Sequence, residues 1–196
     1  MGQRHSRHRF MPDQYVFPGG RVDRADHYAT AAAPLSQRVS ALLQRAASAS
    51  RAQALAMAAV RETFEETGLI LGRPMAAPKR APGAWGRFYA TGFGPALDRL
   101  EYLTRAVTPP FRPMRFNARF FLADAEQVSG EIAGSGELLG LDFIPIARAR
   151  QLPIPPIQAR VLDSVEEFLA APDAWRQRNS VPRYRMLHGK RVVDRE

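Results

Sequence analysis

The stretch Arg61-Glu62-Thr63-Phe64-Glu65-Glu66-Thr67-Gly68-Leu69 decides the reading of this chain. It closes a segment, Arg51 to Thr67, that reads as a helix, and Gly68 stands where a left-handed C-cap would stop it. At about 100° per residue, Glu62, Glu65 and Glu66 fall within an arc of about 100°, while Met57, Val60 and Phe64 take the opposite side. Carboxylates at i, i+3 and i+4 on one face repel one another. A divalent cation removes that repulsion, and oxygen-only carboxylate ligands suit Mg²⁺ or Mn²⁺ rather than zinc or copper. The plain alternative is a solvated acidic helix face beside Arg61.

Upstream, the extended stretch Gln14-Tyr15-Val16-Phe17 runs into Pro18-Gly19-Gly20, a strong turn signal. Residues 27–50 are Ala/Ser-rich, and Val39, Leu42, Leu43 and Ala46 recur at helical spacing after Pro34, which predicts a helix of about three turns. Downstream, residues 72–95 are rich in Gly and Pro and read as a long loop containing a short strand at Arg87 to Ala90. Strands are expected at Leu100 to Val107, at Phe116 to Ala123 and at Leu138 to Ile146. After Pro153, Pro155 and Pro156, the residues Ile157, Val161, Leu162, Val165, Phe168 and Leu169 mark an amphipathic helix with Pro156 near its first turn. There is no internal repeat.

The glycine turn and the glutamate helix together resemble the Nudix hydrolase superfamily. Its signature reads Gly, five residues, Glu, seven residues, then Arg-Glu-aliphatic-any-Glu-Glu-any-Gly-aliphatic. Gly20 opens the box here, and Arg61, Glu62, Glu65, Glu66, Gly68 and Leu69 fill its second half in register. Asp26 stands where the first Glu belongs, Thr63 replaces an aliphatic residue, and 34 residues, His27 to Val60, separate Asp26 from Arg61. Loop-closure cost grows slowly with length, so the box can assemble around the insertion. Phe17-Pro18-Gly19-Gly20-Arg21-Val22-Asp23, then Ala25-Asp26, the Ala-rich insert, and later Thr108-Pro109 with Arg115-Phe116-Asn117-Ala118-Arg119-Phe120-Phe121 are similar to the peroxisomal coenzyme A diphosphatase-like subgroup.

The resemblance implies an α/β fold, a Nudix-type α/β/α sandwich around a mixed sheet. It implies Mg²⁺ or Mn²⁺ held by Glu62, Glu65, Glu66 and the Gly20 carbonyl, and cleavage of a phosphoanhydride in a nucleoside diphosphate linked to another moiety, with coenzyme A or acyl-coenzyme A the leading substrate. Arg61 is expected to pair with Glu65 or with Asp26 and to orient a ligand carboxylate. Glu137, in a Gly-rich loop, is the candidate general base, with Glu131 and Glu101 as rivals. Arg115 and Arg119 are candidates for substrate phosphates. Trp85, Phe88, Tyr89 and Phe111 either stack on a base or belong to the core. The alternatives are a catalytically silent domain binding a nucleotide or nucleic acid, and a nucleotide-pool or RNA-end pyrophosphohydrolase.

Composition agrees with one folded domain: 196 residues, 45% hydrophobic and 24% charged, with no cysteine. Disulfides, thiolate nucleophiles and Cys-ligated zinc are thereby excluded. No apolar run spans a bilayer and the Arg/His-rich start lacks a secretory pattern, so a cytoplasmic protein is expected. The net charge of +9 sits largely at the ends, which hold +7 of it: +3 in residues 1–12 and +4 in 171–196. The expected division is a single domain over 1–170, with a helical insertion at 27–50, and a basic tail over 171–196; nucleic acid is not the expected partner. His5 and His8 read as surface residues. Met1-Gly2-Gln3-Arg4 reads as the end of a strand whose beginning is missing, and the unpaired edge so left predicts either pairing with a neighbouring chain, as in a homodimer, or reduced stability.

Overall fold

Residues 1–7, 11–109, 111, 114–187 and 190–196 are described by a computed structural model. The strands are β1 (Gly2–Arg4), β2 (Tyr15–Val16), β3 (Gly72–Pro74), β4 (Phe93–Pro95), β5 (Glu101–Val107), β6 (Asn117–Leu122), β7 (Leu138–Leu139), β8 (Pro182–Leu187) and β9 (Lys190–Arg195). The helices are α1 (Gln37–Gln44), α2 (Ala49–Thr67), α3 (Trp85–Tyr89), α4 (Ile146–Ala149), α5 (Pro156–Ala170) and α6 (Pro172–Gln177).

Local chemistry sets the limits of the long helices. The Ser48 hydroxyl accepts a hydrogen bond from the Arg51 N–H and starts α2; Gly68, with φ 77°, takes the left-handed cap and returns its N–H to the Phe64 carbonyl. Ser36 caps α1 in the same way through the Val39 N–H. Pro156 opens α5, where a missing N–H costs nothing.

The main sheet has the order β6-β5-β8-β9, with β5 and β8 parallel and the other pairs antiparallel. Its central strand β5 has both faces covered. Tyr102 packs with Val39, Leu42 and Leu43 of α1, Ala52 of α2 and Val181. Leu103 packs with Val161 and Phe168 of α5 and Trp175 of α6. Helices on both faces of a mixed sheet make the expected α/β/α sandwich. A third cluster joins Met57 and Val60 of α2 to Trp85, Phe88 and Tyr89 of α3 and to Leu71 and Leu97. Full burial of such side chains contributes about 1.5–3 kcal/mol each, and here it fixes the helix that carries the glutamates.

The structure corrects four expectations. Arg87 to Ala90 is not a strand: Trp85, Phe88 and Tyr89 lie at i, i+3 and i+4, and α3 turns all three inward against α2. The strand at 138–146 stops after Leu139, because Gly140 takes φ 56° and Pro145 leads into α4. Residues 171–196 are no tail. They form α6 and the hairpin β8–β9, which extends the main sheet from β5, and their arginines hold acids: Arg176 on Glu101, Arg178 on Glu167, Arg183 and Arg185 on Asp194. Finally, Gly2–Arg4 is not an open edge, since β1 is the middle strand of a small antiparallel sheet, β2-β1-β7. His5 is exposed and its Nδ1 accepts the Arg7 N–H, while His8 lies outside the described residues. Among the described residues no helix is long and apolar enough to cross a membrane.

Candidate active site

The turn after β2 lies against the C-terminal half of α2. The Gly19 N–H donates to Glu66 Oε2 at 3.0 Å. At Gly20 a Cβ would fall inside the Glu62 carboxylate, so the absence of a side chain is what lets the turn reach the helix. Glu62, Glu66 and the Gly20 backbone are thus brought together.

Arg61 organises the other side of this group. Its Nε donates to Asp26 Oδ1 at 2.9 Å and its Nη2 to Asp26 Oδ2 at 3.1 Å; Nη2 also reaches the Arg21 carbonyl at 2.9 Å. Nη1 meets Glu65 Oε2 at 2.8 Å and Glu62 Oε1 at 2.9 Å. A guanidinium has five N–H donors, and each has an acceptor here. Both expected partners of Arg61, Glu65 and Asp26, are realised at once. Burial alone would make Arg61 easier to deprotonate, but the bonds to Asp26 and the charges of Glu62 and Asp26 prevail and raise its pKa.

Asp26 has no exposed surface. A short 3-10 turn, Arg24–His27, carries it inward, with Asp23 as the cap of that turn. Besides the two bonds from Arg61, its oxygens accept the Asp23 N–H at 2.8 Å and the indole N–H of Trp85 at 3.0 Å. Trp85 was read from the sequence as an aromatic for the core or for stacking. Its bond to Asp26 was not foreseen, and no local pattern signals it, because 59 positions separate the two residues.

The glutamates repel. Burial pushes the Glu62 carboxyl up, aided by the charges of Glu65 and Glu137 and opposed by Arg61. Burial also pushes Glu66 up, to about 7; the charges of Glu137 and Glu62 add to this, while the Gly19 N–H and Arg4 oppose it. Glu137 is exposed, yet it lies near enough to act on both carboxylates. Its rivals stand elsewhere. Glu101 is engaged by Arg38 and Arg176, and Glu131 contributes a backbone carbonyl beside Gly68. Arg115 is exposed ahead of β6, and Arg119 lies with Tyr102, Arg105 and Glu196, facing the start of α2 rather than its glutamate end. Arg87 of α3 is nearer: its Nη2 is 3.8 Å from Glu65 Oε1 and its side chain is 75% exposed. Phe111 is exposed, whereas Trp85, Phe88 and Tyr89 are core. A cleft of about 280 Å³ lined by Asp23, Ala25, Arg61, Glu65, Gly83 and Ala84 opens beside this group.

Among the described residues no three carboxylate or imidazole side chains form a ready-made metal cage. The reason is visible in the hydrogen bonds: Glu62 and Glu65 are turned to Arg61, and Glu66 to Gly19. The donor chemistry nonetheless fits a hard divalent cation, because every donor is oxygen and the carboxylates are crowded enough to repel one another.

No family model matches the chain, and no curated protein matches it. Among solved structures, the crystal structure of a Nudix hydrolase from Alicyclobacillus acidocaldarius is similar, with a TM-score of 0.62 and 28% sequence identity, over 88% of this chain and 83% of that one. The chain thus shares the fold of a Nudix hydrolase, and its glycine turn is docked on the glutamate end of α2.

Proposed function

We propose that the protein is a Mg²⁺- or Mn²⁺-dependent Nudix pyrophosphohydrolase that cleaves a phosphoanhydride in a nucleoside diphosphate linked to another moiety, with coenzyme A or acyl-coenzyme A as the leading substrate. The observation that carries the reading is the convergence of Glu62, Glu66 and the Gly20 backbone, with Glu66 pushed up to about 7 by burial and by its acidic neighbours. Glu62, Glu65, Glu66 and the Gly20 carbonyl are the residues to hold the cation. A bound cation neutralises pyrophosphate charge and lowers the pKa of water.

The chain's own residues do the rest. Arg61 holds Glu62 and Glu65 in place and is itself held by Asp26. Glu137, exposed and acting by its charge on Glu62 and Glu66, is the candidate to take a proton from water as general base. Arg87, exposed 3.8 Å from Glu65, is a further candidate beside Arg115 and Arg119 to meet a substrate phosphate. The pairing of Arg176, Arg178, Arg183 and Arg185 with acids weakens a nucleic-acid reading, since those charges are partly neutralised within the fold.

The test is product release from coenzyme A, acyl-coenzyme A, NADH, ADP-ribose, dinucleoside polyphosphates and 5′-triphosphate RNA with Mg²⁺ or Mn²⁺, beside Glu65→Gln and Glu66→Gln. Metal-dependent turnover that both substitutions abolish is the expected result. Neither turnover nor Mn²⁺ binding would instead support a catalytically silent domain.

A further inference from the structure

Asp26 is one methylene shorter than the glutamate that the box pattern calls for, yet its carboxylate accepts more hydrogen bonds than any of the three glutamates beside it. Four N–H groups converge on it: two from Arg61, one from the Asp23 backbone and one from the Trp85 indole. The first three belong to the turn and helix of the box. The fourth arrives from α3, an element outside it. Trp85 has no exposed surface, and α3 is fixed against α2 by Phe88, whose ring meets Phe64 edge-on at 5.2 Å, and by Tyr89. The indole is therefore held independently of the carboxylate that it bonds. A buried carboxylate that loses one donor holds its remaining partners in a less defined position.

We propose that Trp85 is a positioning residue for the glutamate site: its indole N–H orients Asp26, Asp26 orients Arg61, and Arg61 sets the rotamers of Glu62 and Glu65. Trp85 touches no reacting atom. The proposal rests on the metal-dependent reading for its effect on cation binding, while the Trp85–Asp26–Arg61 link stands without it. The second tryptophan supplies the control. Trp175 is also buried, at 1% exposure, but in the cluster on the far face of β5, and its Nε1 has no hydrogen-bond partner among the described residues. Trp→Phe removes the same atoms at both positions and a hydrogen bond only at 85.

The experiment compares wild type, Trp85→Phe, Trp175→Phe and a chain carrying benzothienylalanine at position 85, an analogue that keeps the bicyclic ring and puts sulfur where the N–H was. Free Mn²⁺ is titrated by electron paramagnetic resonance, and exchange of the Arg61 Nε–H is followed by NMR in metal-free protein. Both changes at position 85 are expected to weaken Mn²⁺ binding about 10-fold, the size of effect typical of groups that orient metal ligands, and to speed Arg61 Nε–H exchange by about the same factor; Trp175→Phe leaves both at the wild-type value. If Trp85→Phe does not fold, the isosteric analogue decides. Unchanged Arg61 exchange in the position-85 chains overturns the proposal. So does an equal loss of Mn²⁺ affinity in Trp175→Phe, which would mean a global loss of stability. If wild type itself binds no Mn²⁺, the metal reading fails, and the exchange measurement alone then sustains or overturns the link.

Discussion

Arg61 and Asp26, 35 positions apart, meet through two parallel bonds, Nε to Oδ1 at 2.9 Å and Nη2 to Oδ2 at 3.1 Å, with Asp26 wholly buried. This bridge spans the long insertion. The insertion does not separate the halves of the box, because it folds as α1 and the start of α2, which pack on each other and on Tyr102 of the main sheet. What looks from the sequence like an interruption leaves the turn and the glutamates in contact.

Breaking one side of a buried, hydrogen-bonded ion pair leaves an uncompensated charge and costs about 3–5 kcal/mol. Asp26→Asn is expected to destabilise the protein by about that amount in urea unfolding, whereas Asp173→Asn, at a solvent-exposed residue 93% accessible in its side chain, changes stability by less than about 0.5 kcal/mol.

Glu66 makes stability depend on pH. Its carboxyl titrates at about 7 in the folded protein and near the ordinary 4.5 when unfolded. Between these values the folded state binds more protons at this carboxyl, so the contribution of Glu66 to stability is full below about pH 4.5 and is lost as pH rises through about 7. Thermal denaturation of metal-free protein should give a Tm that declines across this window, and Glu66→Gln should flatten the decline. Mg²⁺ should raise the Tm more at pH 8 than at pH 5, because ligands bind the cation in their deprotonated form.

Gly20→Ala puts a methyl group inside the Glu62 carboxylate, and either the turn or the glutamate must move. Turnover should fall about 10- to 100-fold, as when a group that places metal ligands is disturbed, with the circular-dichroism spectrum unchanged. Wild-type kinetics would mean that the turn does not need to approach the helix this closely.

Glu137→Gln removes the proposed base while leaving the core untouched, since Glu137 is exposed. A positioned general base contributes about 10²–10⁴-fold, and kcat should drop within that range with loss of the acidic limb of the pH–rate profile. Glu101→Gln, whose carboxylate is occupied by Arg38 and Arg176, is expected to retain catalysis.

The helix α2, its Gly68 cap, the shared face of Glu62, Glu65 and Glu66, and the turn at Gly19-Gly20 were all legible from residue order. They depend on spacings of a few residues and on the conformations single residues allow. The pairing of Arg61 with Asp26 was legible as one of two options, because a box pattern stated what the Asp replaces. The role of Trp85 was not: α3 is too short to announce itself, and its indole finds Asp26 only after α2 and α3 have packed. Residues 171–196 carry a clear excess of arginine and so read as a solvated tail, yet Asp194 gathers Arg183 and Arg185, and β8 adds in parallel to β5, with the Thr104 hydroxyl bonded to the Pro182 carbonyl across 78 positions. By itself the sequence determined the three longer helices, α1, α2 and α5, and which carboxylates would share a face, since periodicity and capping act within a few residues. Only the tertiary structure decided the partners of the sheet and of the buried charges, because those depend on surfaces that exist only after distant segments have met.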